Sequence, residues 1–543
     1  MNVASGLTAD RIGGAARYDP QLRTPRYPRM RRGITVDLRD TEVIVDGIPR
    51  RQCFRGALAT SLLPQLIPLL DGTRSHTELA AELEVTEDAI FKVAALLWAS
   101  GVVEEGPPDT AVTPGELGAD DGAADFVSRM GDSTGAHARW EDSLARAAAA
   151  RIEVRAPDNA ARRLREALDP VLTTHLAQDT VNAATTLAVL VEPATPTAAD
   201  HDYAQQCWDL RVPLLRLRLF GGATEIGPYI DPAATACRNC LTADDAPEQD
   251  ARSDLTDDLA CALAAHEIFA LLTRTTPSLL PLRWRRVELT TLAATDMSGA
   301  TRPGCLCCSV GHGPMWSQPP LAARYEAAVA MPPKKYADLK AHQMHYQPSN
   351  LALQQRFRTW PVAARTPLPE PDLPRLSGPA ASVTDLGAAE LGLLLLMTAG
   401  IQAVTPERVF RWSAGGGNIG SVLAHVAVRD ISGIEAGVYA YVAPDHALAR
   451  LDHDPAKVPG DTSVTLVLTG DYLKVAQKYA AFALRIVLLD SGCAQATLDA
   501  TALQLGVRRD TRSAWDDNAL AAALGIDADT QPVTAVIDLG SRP

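Results

Sequence analysis

The chain lacks an apolar core near its N-terminus: MNVASGLTADRIGG excludes a secretory signal peptide. No apolar run reaches the length of a membrane span. Leu391 to Ile401 is too short and predicts a buried helix. Basic charge is in deficit. With 51 Lys and Arg against 65 Asp and Glu, the formal net charge is −14, which argues against a nucleic-acid backbone as the main ligand. The nine cysteines in 543 residues follow no regular disulfide framework. These absences predict a cytoplasmic protein with neither membrane nor nucleic acid as partner. The length predicts three or four domains, and a hydrophobic content of 47% suffices for several cores.

What the chain does have is a pair of thiol pairs. Cys237 and Cys240 have CxxC spacing, and so do Cys305 and Cys308, with Cys307 as a competing ligand. Each pair follows a turn containing proline. Four thiolates, two from each of two turns, are what a structural zinc needs. The other reading is a group of buried free cysteines, since free Cys is commonly buried. A closed four-thiolate site does no chemistry, so function has to come from either side of it.

Residues 1–20 are expected to be disordered. From Tyr27 the pattern changes: Ile34 to Leu38 and Glu42 to Asp46 alternate apolar and polar residues and predict a β-hairpin. Leu58 to Leu70 predicts a helix ended by Asp71 and Gly72. Ser75 and Glu78 form a capping box that opens a second helix. Thr86 caps a third, with Ile90, Val93, Ala94 and Leu97 on one face, and Gly101 to Glu105 predicts a closing strand. Hairpin, three helices and wing give a winged helix over 21–106. Its third helix, Glu87 to Ala99, carries Lys92 as its lone basic residue, which argues against major-groove binding. Basic residues sit instead at Arg26, Arg29, Arg31 and Arg32, and at Arg50, Arg51 and Arg55. A strand edge beside a helix groove accepts a peptide as an added strand, so the expected partner is a peptide that meets Arg50, Arg51 and Arg55. The alternative is a solvated basic face.

Residues 107–135, rich in Pro, Gly, Ala and Asp, predict a linker. From Ala149 strand and helix alternate. Arg151 to Arg155, Leu187 to Val191 and Pro213 to Leu219 are strands, and Asn159 to Leu168 is a helix, which together predict a Rossmann-type α/β sheet. Arg155 to Asn159 stands where a nucleotide-binding sheet carries its Gly-rich turn, so no backbone approach to a pyrophosphate is expected there.

Several segments resemble known families. Leu66 to Thr73 in the winged helix resembles the precursor-peptide recognition element of ribosomal-peptide modifying enzymes. Gly227 to Leu241 (GPYIDPAATACRNCL) resembles the GP-x-x-x-PG-x-x-C-x-x-CL signature of ThiF-like proteins in azole-forming clusters. The second cysteine pair is similar to their HP-x-C-x-x-C element, with Arg302 where His is usual. This resemblance covers about residues 25–315, with the ThiF-like domain over 136–318. It implies a protein that binds a precursor leader peptide and works with a YcaO-type cyclodehydratase, which performs the ATP-dependent ring closure.

Residues 335–543 resemble the SagB-type nitroreductase-fold dehydrogenases. The resemblance rests on Ser413 to Gly416, on His425 to Arg429, on Gly437 to Tyr441, and on Asp445 to Leu448. It rests also on Lys478 and Tyr479, on Arg485, on Leu489 to Gly492, on Trp515 to Asp517 and on Leu524 to Asp527. It implies an α+β domain that uses FMN to oxidise an azoline to an azole, with a flavin site formed between two subunits of a homodimer. Lys478 and Tyr479 would then be the acid/base pair. Ser413, Ala414 and Gly415 would lie near the isoalloxazine, and Arg411, Arg485 or Arg508 would meet the phosphate. The departures are Pro374 to Pro379 in place of RRS-x-R, Trp412 for Pro, Asn418 to Ser421 for LYPxE, Phe482 for Arg and Cys493 for His. Two expectations follow: a leader-binding component with a retired oxidase domain, or an FMN-dependent azoline dehydrogenase with its own leader-binding domain.

Overall fold

The computed structural model describes residues 7–20, 22–107, 112–169, 171–177, 180–192, 196–243, 253–338, 349, 352–381, 385–406 and 408–540. It divides into two compact units, Leu7–Met344 and His345–Pro543.

The first unit opens with a helix, Ala9–Ala16, inside the stretch expected to be disordered; positions 1–6 lie outside the described residues. Thr8 caps the helix by accepting from Arg11 N at 3.3 Å, and Ile12 is buried. One apolar anchor is too weak a period to read from sequence. The helix packs on Glu87–Ala99, where Asp10 and Asp88 take Lys92 Nζ at 2.8 and 2.9 Å.

Strands β1 (Pro28–Met30), β2 (Thr35–Leu38), β3 (Glu42–Asp46) and β4 (Gln52–Arg55) follow, with β5 (Val103–Glu105) closing the module. β2, β3 and β4 form a small antiparallel sheet with β3 at its centre. The closing strand β5 pairs with β1, not with the hairpin. The expected helix from Leu58 to Leu70 is broken into Ala57–Ser61, Leu63–Leu66 and the 3-10 turn Ile67–Leu69. Pro64 and Pro68 each remove a backbone donor, so one continuous helix cannot form. The helices His76–Glu82 and Glu87–Ala99 start where Ser75 and Thr86 cap them, the first with a full capping box.

Residues expected as a linker include a helix, Asp121–Met130, capped by Asp120, with Ala124, Val127 and Ser128 buried; positions 108–111 lie outside the described residues. Its Gly- and Ala-rich sequence is what close packing against a neighbour requires. Arg32 reaches Asp125 at 2.8 Å and Asp121 at 2.7 Å. Ser128 Oγ donates to Glu104 at 3.0 Å.

The α/β sheet that follows has seven strands. β6 (Ile152–Arg155), β7 (Thr174–Leu176), β8 (Leu187–Glu192) and β9 (Leu214–Leu219) run parallel. β10 (Ala223–Ile230), β11 (Arg283–Glu288) and β12 (Ala294–Ser298) extend the sheet antiparallel. The order is β7-β6-β8-β9-β10-β11-β12. The helices Asp158–Leu168 and Asp254–Thr273 cover one face through Leu164, Ala264, Ile268 and Leu271.

The second unit holds β13 (Arg365–Pro367), β14 (Ile401–Val404), β15 (Val409–Arg411), β16 (Val422–Val428), β17 (Gly437–Val442), β18 (Ala447–Leu451), β19 (Val464–Gly470), β20 (Arg509–Thr511) and β21 (Val533–Leu539). Its seven-stranded antiparallel sheet has the order β13-β18-β17-β16-β19-β21-β20. Ala388–Ala399 is a buried helix, with Leu391, Leu394 and Leu395 fully enclosed; each such burial is worth about 1.5–3 kcal/mol. The sequence showed no apolar run of membrane length, yet one helical run, Tyr472–Leu505, is long and apolar enough to cross a membrane by length and composition. It is interrupted at Ala480, whose φ is +45°, and Val487, Ala494, Leu498 and Ala502 bury one face of it in the unit.

Glu104 has no exposed side-chain surface. It faces Arg29 at 3.0 Å and Arg31 at 3.3 Å, and Arg29 continues to Glu141 at 2.7 Å. Glu104→Ala leaves the buried Arg31 and the largely buried Arg29 guanidinium groups without their shared anion. It is expected to lower the unfolding free energy of this unit by about 3–5 kcal/mol in urea titration. Glu166→Ala, in the exposed 2.8 Å pair with Arg162, should cost less than about 0.5 kcal/mol. Equal losses would show that burial is not what gives Glu104 its weight.

Candidate functional site

The first cysteine pair follows β10. Cys237 precedes a single helical turn, Arg238–Leu241, which puts Cys240 back above it; Cys240 N donates to Cys237 O at 3.1 Å. Arg238 anchors this turn to the sheet through Glu192 of β8 and through His201 Nδ1 at 2.9 Å. The second pair sits on a turn that needs Gly304: its φ is +77°, and a Cβ there would lie 2.4 Å from Pro314 O. Cys305 N donates to Arg302 O at 3.1 Å, and Ser309 N to Cys305 O at 3.0 Å.

The two turns bring the sulfurs of Cys237, Cys240, Cys305 and Cys308 within 4.8 Å of one another. Cys237 and Cys305 sulfurs are 3.6 Å apart, and those of Cys240 and Cys308 3.7 Å. A tetrahedral ion with metal–sulfur bonds of about 2.3 Å sets its sulfurs about 3.8 Å apart, so the donor set fits a metal such as zinc. Arg302 N also donates to Cys240 Sγ at 3.3 Å, as a backbone amide does toward thiolate character. Burial pushes the Cys237 thiol up and the Cys240 thiol up to about 12. For Cys305 burial acts upward too, but the amides of Cys308 and Cys307 together with the thiols of Cys240 and Cys237 bring the thiol to about 7. Cys307 is exposed and lines a cavity with His201, Trp208 and Arg238, outside the sulfur cluster. Sequence spacing gives Cys308 the CxxC position with Cys307 as a competitor, and it is Cys308 that joins the sulfur cluster.

The turn after β6 is filled by the chain itself. Arg155 Nε donates to Asp200 at 3.1 Å, and its guanidinium lies over the Tyr203 ring at 5.3 Å.

In the second unit, Lys478 and Tyr479 end the helix Tyr472–Tyr479 and meet the glycine loop before β16. A Cβ on Gly417 would lie 2.6 Å from Lys478 Nζ and 2.8 Å from Tyr479 Oη. Asp490 holds the same loop: it accepts from Gly416 N at 2.7 Å and from Ser421 Oγ at 2.5 Å. Burial lowers the Lys478 pKa, and burial followed by the nearness of Asp490 raises that of Tyr479. Burial also raises that of Asp490, against the pull of its two donors. Lys478, Tyr479 and Asp490 therefore form a compact proton-bearing group around Gly415 to Gly417. Gly415, Gly417 and Gly420 have the spacing G-x-G-x-x-G, a feature the motif comparison did not use. They enclose a single 3-10 turn, Gly416–Asn418, and lead into strand β16 and not into an α-helix, so they lack the context of a dinucleotide turn.

The residues expected around a flavin do not come together. Ser413 Oγ donates to Thr398 O at 2.9 Å. Arg411 turns inward and donates to Gln354 O at 2.9 Å. Arg485 lies over Phe482 at 5.5 Å, and Arg508 is exposed beyond the end of Ala483–Leu505. The loop amide best placed for a ligand, that of Gly416, already donates to Asp490. Within one chain, Arg411, Arg485 and Arg508 do not converge on one point. Arg50, Arg51 and Arg55 are exposed, but Arg51 pairs with Asp46 and Arg55 with Glu42 at 2.8 Å.

No protein-family model matches the sequence, and no curated protein does. Solved structures show partial likeness. The heterocyclase TruD is 14% identical, with a TM-score of 0.41, over 79% of this chain and 63% of its own. A heterocyclase in complex with substrate and cofactor is 15% identical, with a TM-score of 0.40, over 52% of this chain and 39% of its own. A nitroreductase from Anabaena variabilis is 21% identical, with a TM-score of 0.27, over 37% of this chain and 45% of its own. This chain thus spans less than two thirds of the length of either heterocyclase.

Replacing Cys308 with Ser is expected to abolish metal retention, measured as zinc per chain by elemental analysis, whereas Cys307→Ser retains it. The reverse order would assign the fourth ligand to Cys307.

Proposed function

We propose that the chain is the leader-peptide-binding component of thiazole- and oxazole-forming ribosomal peptide biosynthesis, and that it delivers the precursor to a YcaO-type cyclodehydratase. One observation carries this reading. Among the described residues β2 and β4 each pair on one side alone, leaving two open strand edges, the first with Leu38 51% exposed and the second flanked by Arg50, Arg51 and Arg55. An open edge offers unpaired backbone groups to an extended peptide, and side chains beside it read the peptide's sequence. Arg50, in the turn between β3 and β4, forms no ion pair among the described residues and is the basic contact of this reading; Arg51 and Arg55 already have acid partners.

The small sheet, the helices His76–Glu82 and Glu87–Ala99 and the β1–β5 ribbon act as the winged-helix recognition element. Zinc on Cys237, Cys240, Cys305 and Cys308 fixes the two turns of the ThiF-like sheet, which docks the cyclodehydratase. Ring closure belongs to that partner, because Arg155 and Asp200 fill the turn where a nucleotide would need glycine. A second reading, an FMN-dependent azoline dehydrogenase, is favoured by the convergence of Lys478 and Tyr479 on Gly417 and opposed by the dispersal of Arg411, Arg485 and Arg508.

Leu38→Glu should weaken binding of a fluorescein-labelled leader peptide about tenfold, or about 1.4 kcal/mol, in polarisation titrations. Arg50→Glu should weaken it severalfold, and Arg51→Glu less, because Asp46 already holds that guanidinium. Wild-type affinity in Leu38→Glu would remove the β2 edge from the binding surface.

A further inference from the structure

We infer that the His345–Pro543 unit carries a binding site for a small organic oxyanion, a carboxylate or phosphate head group, seated between Lys474 and Arg411. Lys474 is only 7% exposed, and its Nζ donates to Ile419 O at 2.8 Å and Gly420 O at 3.4 Å. Arg411 Nη2 donates to the same Ile419 O at 3.4 Å. Two cations therefore converge on one neutral carbonyl, and neither forms an ion pair among the described residues. Arg411 Nε is buried with no hydrogen-bond partner. Buried charges in proteins are normally paired, and one left without a counter-charge is costly.

Both side chains line one cavity of about 30 Å³, room for a few waters or a single head group. Arg356 and Arg358 stand at its exposed rim, where Arg356 Nη1 donates to Gln477 and Arg358 Nη2 to Gln531. Asp471 is the one acid among the lining residues, so four cations face one carboxylate. Phe357, Val422 and Tyr441 give the cavity apolar walls suited to the body of an organic anion. Burial, then repulsion by Arg411, depresses the Lys474 ammonium to about 8, as expected where counter-charge is short. Ser413, Ala414, Gly415, Lys478 and Tyr479 do not line this cavity, whereas Arg411, one of the arginines the flavin resemblance offers to a phosphate, does. The site is independent of the peptide-binding reading.

Isothermal titration of the full chain with inorganic phosphate and, separately, with acetate at constant ionic strength tests this. Saturable binding of one probe is expected, and which one binds distinguishes a phosphate from a carboxylate head. Lys474→Met should weaken it at least about tenfold, and Arg411→Lys, which keeps the charge, only severalfold. No saturable binding of either probe at millimolar concentration overturns the inference, as does wild-type affinity in Lys474→Met. Should Lys474→Met fail to fold, Arg356→Gln at the exposed rim takes its place: severalfold weakening supports the site, and unchanged affinity overturns it.

Discussion

The first unit depends on one buried carboxylate. Glu104 leaves β5 for a site with no water and is held there by Arg29, Arg31 and Ser128. Those three residues belong to β1, to the segment after it and to the Asp121–Met130 helix. Through Arg29 the network reaches Glu141 of the next helix. An isolated buried charge would be costly, so the elements that supply its partners have to assemble together.

The cysteine cluster applies the same logic to two distant turns. Three buried thiols and one half-buried thiol meet within 4.8 Å, a geometry that fits a tetrahedral cation. Its anchor is again a buried carboxylate, Glu192, which reaches Arg238 in the first turn and Arg216 in β9. In the second unit no such balance is struck around Lys474 and Arg411, and charge is left over. The contrast is with Glu104 and Glu192, which are buried together with the opposite charge.

Much of this was legible in the sequence, for reasons that differ by element. The caps at Ser75 and Thr86 are local hydrogen bonds between near neighbours, so they read directly. The fully apolar runs at Leu187 and Leu391 could only be buried. The cysteine pairs were legible as spacing, and the fold brings Cys308 into the sulfur cluster. The helices Ala9–Ala16 and Asp121–Met130 were hidden because small residues and a single apolar anchor give no clear period. Pro64 and Pro68 were visible, yet the apolar spacing of Leu58 to Leu70 outweighed them in the reading, wrongly. Lys474 gave no signal at all, since its partners are backbone carbonyls 54 and 55 residues away.

The most direct test of the peptide-binding account is hydrogen–deuterium exchange of the full chain with and without a leader peptide. The account predicts new protection concentrated in β2, residues 35–38, and in the adjoining helical module, with the His345–Pro543 unit unchanged. Protection confined to the second unit, or none at saturating peptide, would contradict it.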